Sequence, residues 1–137
     1  VCEDYDFWLR LAKNQRVGVV QASLVGYRHH GSSLSDDQDA MIRGRIEVAE
    51  RVFAAPQRYP EGALVFFCAE KARRHAQLGR RALHASDLPL ARHHFWHSLR
   101  AGPRLTTAAL LAASCTGRAG SRLLLNAKRL AGLDLDR

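Results

Sequence analysis

The chain has 137 residues, enough for one modest hydrophobic core, and a formal net charge of +8 from 21 Lys and Arg against 13 Asp and Glu. Acidic and basic residues balance over residues 1–36, so the whole excess lies in residues 37–137. Nucleic acid is not an expected partner, because the basic residues are interleaved with acids and no stacking-aromatic motif accompanies them. Three widely spaced cysteines, Cys2, Cys68 and Cys115, predict reduced and mostly buried thiols in a cytosolic protein.

The first predicted element is an amphipathic helix over residues 3–14. Its apolar side chains recur at spacings of three and four: Tyr5, Trp8, Leu9, Leu11 and Ala12. Its first turn holds three acids: Glu3, Asp4 and Asp6. Carboxylates are common there, because the helix macrodipole favours negative charge by about 0.3–1 kcal/mol each. Here they also adjoin the rings of Tyr5 and Trp8, and such a surface suits sugar rings and hydroxyl groups.

Two short strands are predicted next, over residues 16–20 and 24–27, followed by a polar loop over residues 29–35. The pattern Tyr-Arg-x-His-x-x-Ser-x-Ser is met by Tyr27, Arg28, His30, Ser33 and Ser35. Guanidinium, imidazole and hydroxyl groups together are suited to an anion. The alternative is a plain strand-to-helix connection, in which Ser35 caps the next helix and Gln38 completes a capping box.

The acidic helix start and this loop together resemble the end of the catalytic domain of family two glycosyltransferases, which have the GT-A fold. By that resemblance Asp4 is the general base that deprotonates the acceptor hydroxyl in an inverting transfer, a role typically worth about 10² to 10⁴ in rate. Glu3 orients Asp4 or contacts the acceptor. Tyr5 and Trp8 border the acceptor site.

The same resemblance implies a donor site. Its residues in this chain are Arg28, His30 and Ser33, which contact the diphosphate of a nucleotide sugar. A divalent metal, Mn²⁺ or Mg²⁺, is the implied cofactor, with His30 as a candidate ligand, although hard cations prefer oxygen. The acceptor would be a glycan or lipid-linked molecule in cell-envelope polysaccharide or glycolipid synthesis. The parent protein would be cytoplasmic, peripheral at the inner face of the membrane.

A GT-A enzyme also needs a parallel nucleotide-binding sheet and an Asp-x-Asp motif, and neither is evident in the sequence. The letters of that motif recur at Asp37-Gln38-Asp39, but there they mark a helix start. Because the chain begins at Val1 inside a motif, we expect residues 1–55 to be the end of a catalytic domain in a longer protein. The chain alone is expected to be inactive.

The residues that follow this region have the apolar periodicity of helices, so the predicted fold class is mostly α. The predicted spans are 36–53, 61–84 and 88–101, with a proline-containing break at 54–60 and an Asp87 cap before the last of them. Residues 56–137 are therefore expected to form a helical C-terminal region.

Part of this region resembles a single tetratricopeptide-like helix hairpin. The matching residues are Ala82, Leu83, Asp87, Ala91, Phe95, Leu99 and Pro103. Two packed amphipathic helices also imitate that pattern, and a solenoid needs about three repeats. The alternative function is accordingly a non-catalytic helical interaction module.

The last third has an apolar run over residues 105–114, too short for a membrane span of about 20 residues. A basic amphipathic helix is predicted over residues 121–133, and these C-terminal helices either contact a membrane surface or dock on the preceding helices. His93 and His97 have the spacing of a zinc pair on a helix, but their face lies opposite Phe95, which predicts a solvated histidine face.

Overall fold

The computed structural model describes four parts of the chain: residues 2–13, 15–26, 36–117 and 120. These parts contain five α-helices and one short 3-10 helix, and no β-strand is assigned within them. The prediction of a mostly α-helical chain is therefore confirmed. The chain divides into two compact units, Val1–Leu64 and Val65–Arg137.

The first unit contains helix α1 (Glu3–Ala12), helix α2 (Gln38–Ala54) and a 3-10 helix (Pro56–Arg58). No side chain within α1 is buried, whereas α2 has a continuous buried face. The apolar residues of that face recur at helical spacing: Ile42, Ile46, Val48, Ala49 and Val52. Helix α2 ends at Ala54, shortly before Pro56, whose ring has no N–H to continue the hydrogen-bond ladder and which begins the 3-10 helix.

The N-cap of α2 is Asp37. Its Oδ1 accepts a hydrogen bond from the backbone N–H of Ala40 at 2.9 Å. The sequence prediction had placed the cap at Ser35, two residues earlier and outside the described residues. The cap at Asp37 confirms that the Asp37-Gln38-Asp39 letters mark a helix start.

The two predicted strands are not supported. Residues 15–26 have no regular secondary structure, and residue 27 lies outside the described part. Five apolar side chains of the segment are between 65% and 87% exposed: Val17, Val19, Val20, Leu24 and Val25. A β-strand needs a neighbouring strand to complete its backbone hydrogen bonds, and the described residues supply none.

The second unit contains most of helix α3 (Glu61–His84), helix α4 (Leu88–Ala101) and helix α5 (Leu105–Cys115). The predicted bounds of α3 and α4 are confirmed, and α5 coincides with the short apolar run at 105–114. Asp87 caps α4 as predicted, because its Oδ1 accepts a hydrogen bond from the N–H of Leu90 at 3.1 Å.

Helices α3 and α4 form an antiparallel hairpin. The buried Ser98 Oγ of α4 donates a hydrogen bond to the Ala72 carbonyl of α3 at 2.7 Å. Further along, the Cys68 Sγ of α3 lies 2.8 Å from the Ala101 carbonyl of α4. Earlier residues of α3 therefore meet later residues of α4, as the predicted hairpin requires.

Helix α5 completes a three-helix core in this unit. The buried cluster joins α3, α4 and α5 and consists of Ala82, Leu83, Ala91, Phe95 and Leu110. Phe95 is completely buried at its centre. Leu88 and Leu111 pack against this cluster. Full burial of a side chain of this size contributes about 1.5–3 kcal/mol relative to an exposed one.

All three cysteines are free, as predicted, but their burial was predicted less well. Cys2 is buried, Cys68 is half-buried, and Cys115 is exposed at the end of α5. The helix predicted over residues 121–133 lies outside the described part of the chain.

Candidate functional site

The predicted acceptor site begins with two exposed carboxylates at the start of α1, Glu3 and Asp4. The Asp4 Oδ1 accepts a hydrogen bond from the backbone N–H of Tyr5 at 2.8 Å. N–H groups of a first helical turn have no acceptor within the helix, so a local carboxylate is a suitable partner. The Asp4 side chain remains accessible to a ligand from solvent.

Asp6 has a different environment, although it shares the same turn. Its Oδ2 lies 3.3 Å from Arg10 Nε on α1 and 3.4 Å from Arg51 Nη1 on α2. The second contact links the two helices of the first unit. Partly exposed pairs of this kind typically contribute about 0–1 kcal/mol, so the main consequence is that Asp6 is held by two cations, whereas no ion pair of Asp4 is seen among the described residues.

Two further contacts connect α1 with later parts of the first unit. Cys2 Sγ lies 3.8 Å from the Met41 carbonyl of α2. The Lys13 ammonium lies 4.7 Å from the centre of the Tyr59 ring, within the range of a cation–π interaction. The acidic end of α1 is thus positioned by contacts at both ends of the helix.

Glu3 has a lowered pKa. The largest cause is a hydrogen bond from the terminal amino group of the chain, followed by a backbone hydrogen bond and by the charge of that amino group. In a longer polypeptide a peptide bond replaces this amino group, so the lowering is a property of the free terminus.

Exposed aromatic rings flank the carboxylates. Trp8 is 58% exposed, and its ring meets that of Phe7 edge-on with centroids 5.5 Å apart, whereas Tyr5 is half-buried. Asp4 and Trp8 are four residues apart on α1, which makes them neighbours on the helix surface. An open carboxylate beside an indole face can accept a hydroxyl proton while the ring packs on a sugar.

The predicted donor loop is outside the described residues. This applies to all three of its contact residues, Arg28, His30 and Ser33. Of the predicted site, the structure therefore brings together the acceptor-side residues on α1, and the donor-side residues stay a prediction.

A metal site is likewise not evident. Across residues 2–13, 15–26, 36–117 and 120, no group of three or more His, Cys, Asp and Glu side chains is placed to hold a metal ion. The divalent cation implied by the resemblance stays a prediction.

The prediction of a solvated histidine face on α4 is wrong for part of that face. His93 is exposed, but His97 is half-buried and stacks on the buried His75 of α3, with ring centroids 5.1 Å apart. His94 also reaches His75, with 3.2 Å between their Nδ1 atoms. Sequence reasoning missed this cluster because His75 lies 19 residues before His94, and only the hairpin brings them together.

Comparison with known proteins adds no assignment, since no protein-family model, curated protein or solved structure matches the chain. Within the described residues, none of the helices has both the length and the apolar character needed to cross a bilayer. The predicted contact of the basic C-terminal helices with a membrane surface is untested.

Proposed function

We propose that this chain is the C-terminal part of a family two type inverting glycosyltransferase, which transfers a sugar from a nucleotide-sugar donor to an acceptor hydroxyl. The main observation in support of this proposal is the exposed environment of the Asp4 carboxylate. Its carboxylate is exposed in the first turn of α1 beside the exposed Trp8, whereas Asp6 is held by Arg10 and Arg51. Of the two aspartates, Asp4 is the one available as a base.

In this proposal the Asp4 carboxylate takes the proton of the acceptor hydroxyl while the hydroxyl oxygen attacks the anomeric carbon of the donor. The bond from that carbon to the diphosphate oxygen breaks, and the nucleoside diphosphate leaves with the bonding electrons. Attack from the opposite side inverts the configuration. Glu3 orients Asp4 or contacts the acceptor, and Trp8 packs on the acceptor sugar.

On the donor side, Arg28, His30 and Ser33 are the residues of this chain assigned to the diphosphate. Their side chains donate hydrogen bonds to anionic oxygens, which suits that role. They include no carboxylate, the ligand that hard cations prefer. A bound Mn²⁺ or Mg²⁺ would neutralise charge on the diphosphate, with His30 as the candidate ligand from this chain.

The segment 15–26 also supports an assignment to a larger α/β catalytic domain. Its exposed valines and Leu24 have no covering surface within the described residues. Contiguous apolar patches are usually covered in a folded protein. The sheet of a GT-A domain would both cover such a segment and complete its backbone hydrogen bonds.

A second candidate function, a tetratricopeptide-like interaction module, is favoured by the hairpin of α3 and α4. The hairpin has a well-packed core around Phe95 and leaves Trp96 of α4 55% exposed. Exposed tryptophans are common at protein–protein contacts. Under this alternative, the acids of α1 are structural.

The two candidates make opposite predictions about the reading frame upstream of Val1. An in-frame segment with a nucleotide-binding sheet and an Asp-x-Asp motif is expected for the transferase. The protein encoded by that extended reading frame should then release a nucleoside diphosphate from a nucleotide sugar in the presence of an acceptor and Mn²⁺. The 137-residue chain alone should not. Further helix pairs upstream, with no such segment, would contradict the transferase and support the module.

A further inference from the structure

Four histidines of the second unit form a continuous cluster between α3 and α4, here called the histidine cluster: His75, His93, His94 and His97. His75 is 7% exposed and lies at the α3 side of the cluster. Its ring is 5.4 Å from that of His94 and 5.1 Å from that of His97. His93 closes the cluster, with its ring 4.5 Å from that of His97.

The central contact joins the Nδ1 atoms of His75 and His94, which are 3.2 Å apart. Two ring nitrogens at this distance form an N–H···N hydrogen bond only if one carries a proton and the other accepts. When both rings are imidazolium, both Nδ1 atoms carry protons and the bond is lost. The folded contact therefore tolerates one additional proton but not two.

Among the described residues of α3 and α4, the charged side chains next to the histidine cluster along the helices are mainly basic. On α3, Lys71 is four residues before His75, and the nearest acid in sequence, Glu70, is already paired with Arg73 and Arg74. On α4, Arg100 is three residues after His97. Helix α5, which also packs on α4, has Cys115 as its one ionisable side chain.

We propose that the histidine cluster is a proton-sensitive contact, which stabilises the packing of α4 on α3 at neutral pH and weakens that packing in mildly acidic solution. The unfolded chain binds protons on its histidines near the ordinary histidine pKa of about 6.5. The folded cluster excludes at least one of these protons. Below about pH 6.5 the unfolded state thus binds more protons, and the folding equilibrium constant falls about tenfold per pH unit for each excluded proton.

The geometry favours this role over a metal site. Within the described residues, no group of three or more His, Cys, Asp and Glu side chains is placed so that it could hold a metal ion. The two Nδ1 atoms are also hydrogen-bonded to each other, so their lone pair and N–H are directed along the line between the rings. A shared metal ion would need both lone pairs to converge at a third point.

The test follows unfolding of the full chain by the fluorescence of Trp96, which is the only tryptophan left after Trp8→Phe. Urea unfolding is measured between pH 7.5 and pH 5.0. The parent chain should lose stability as the pH falls across this range.

The double variant His75→Gln/His94→Gln keeps neutral hydrogen-bonding side chains. Its folding equilibrium constant should fall at least tenfold less than that of the parent chain. The exposed His84, at the end of α3, provides the matched control, and His84→Gln should retain the parent pH dependence.

A second measurement does not depend on variants. Nitrogen-15 NMR should detect coupling across the bond from His75 Nδ1 to His94 Nδ1 at pH 7.5, and its loss at pH 5.0. An absent coupling at pH 7.5, or equal pH dependence in the parent and the double variant, would overturn the proposal. It would also be overturned if Zn²⁺ stabilised the parent chain at pH 7.5 and left the double variant unaffected, because the cluster would then be a metal site.

Discussion

Gly79 of α3 lies directly against the ring of Phe95 of α4. A Cβ atom added at Gly79 would be 2.6 Å from both Cδ1 and Cε1 of that ring. Phe95 is completely buried in the core of the second unit, so its ring has no free space into which to move. The absence of a side chain at Gly79 is therefore what allows α3 and α4 to approach at this point.

The first prediction concerns this approach. Gly79→Ala should reduce the free energy of unfolding by about 1–3 kcal/mol, the usual cost of overpacking a core. The loss should appear although alanine is favoured over glycine in a helix by about 1 kcal/mol. The matched control is Gly62→Ala in the first turn of the same helix, where an added Cβ meets nothing within 4 Å. Urea unfolding should show this variant to be equally or more stable, and equal effects of the two substitutions would contradict the packing argument.

The second prediction concerns the hydrogen bond from Ser98 to the Ala72 carbonyl. Ser98→Ala removes a buried bond between two helices and should reduce the free energy of unfolding by about 0.5–1.5 kcal/mol. Ser114 is an equally buried control, but its Oγ bonds to the carbonyl of Leu111 within its own helix. Since alanine is the better helix former, Ser114→Ala should cost less. A larger loss for Ser114→Ala in thermal or urea unfolding would count against the inter-helix bond.

The third prediction concerns the pH dependence of the Glu70 ion pairs. Burial by itself would raise the pKa of Glu70, but hydrogen bonds and charges from Arg73 and Arg74 outweigh it and hold the pKa below its ordinary value. Arg74 Nε lies 2.7 Å from Glu70 Oε1. A lowered pKa in the folded state stabilises the protein above the unfolded-state pKa of about 4.3. This contribution is lost as the pH falls through the folded-state value.

Glu70→Gln should accordingly cost about 1–3 kcal/mol at pH 7 and less at pH 3, because the parent carboxyl moves toward its protonated form as the pH falls below the ordinary glutamate value of about 4.3. Urea unfolding at the two pH values measures the difference. Glu61→Gln, at an exposed position at the start of α3, is the control and should have little effect at either pH. A cost for Glu70→Gln that stays constant between pH 7 and pH 3 would show that the charge is not responsible.

The fourth prediction concerns Asp4 in the full-length protein. Asp4→Asn should lower the rate of sugar transfer by about 10² to 10⁴, because an amide cannot accept the hydroxyl proton. Nucleotide binding, measured by calorimetry, should be largely unchanged. Asp6→Asn provides a neighbouring control, since Asp6 is paired with Arg10 and Arg51, and it should retain most of the turnover. Unchanged turnover in Asp4→Asn would remove Asp4 from the proposed role.

Apolar periodicity and cap residues were sufficient to predict the bounds of some helices but not of all. The bounds of α3 and α4 were predicted from apolar periodicity and from the Asp87 cap, and both are properties of a few consecutive residues. The start of α2 was less well predicted, because Ser35 and Asp37 are both good cap residues. The hydrogen bond from Ala40 to Asp37 distinguishes them.

In the candidate site, too, features within one helix were predictable from sequence and contacts between helices were not. Glu3, Asp4, Tyr5 and Trp8 were expected from sequence to lie on one short helix, and α1 contains all four; their role in a site stays a prediction. The different environments of Asp4 and Asp6 were not predictable, since Arg51 lies on another helix. The strands at 16–20 and 24–27 were predicted from β-branched composition, but composition does not supply the neighbouring strand that pairing requires.

The amino-acid sequence by itself determined the helical character of this protein and the bounds of α3 and α4, because these depend on interactions within a few turns. Only the tertiary structure decided which helix faces meet. The contact of Gly79 with Phe95 and that of His75 with His94 each join residues on different helices. Their energies depend on close packing and buried polar contacts, which arise only when those helices come together.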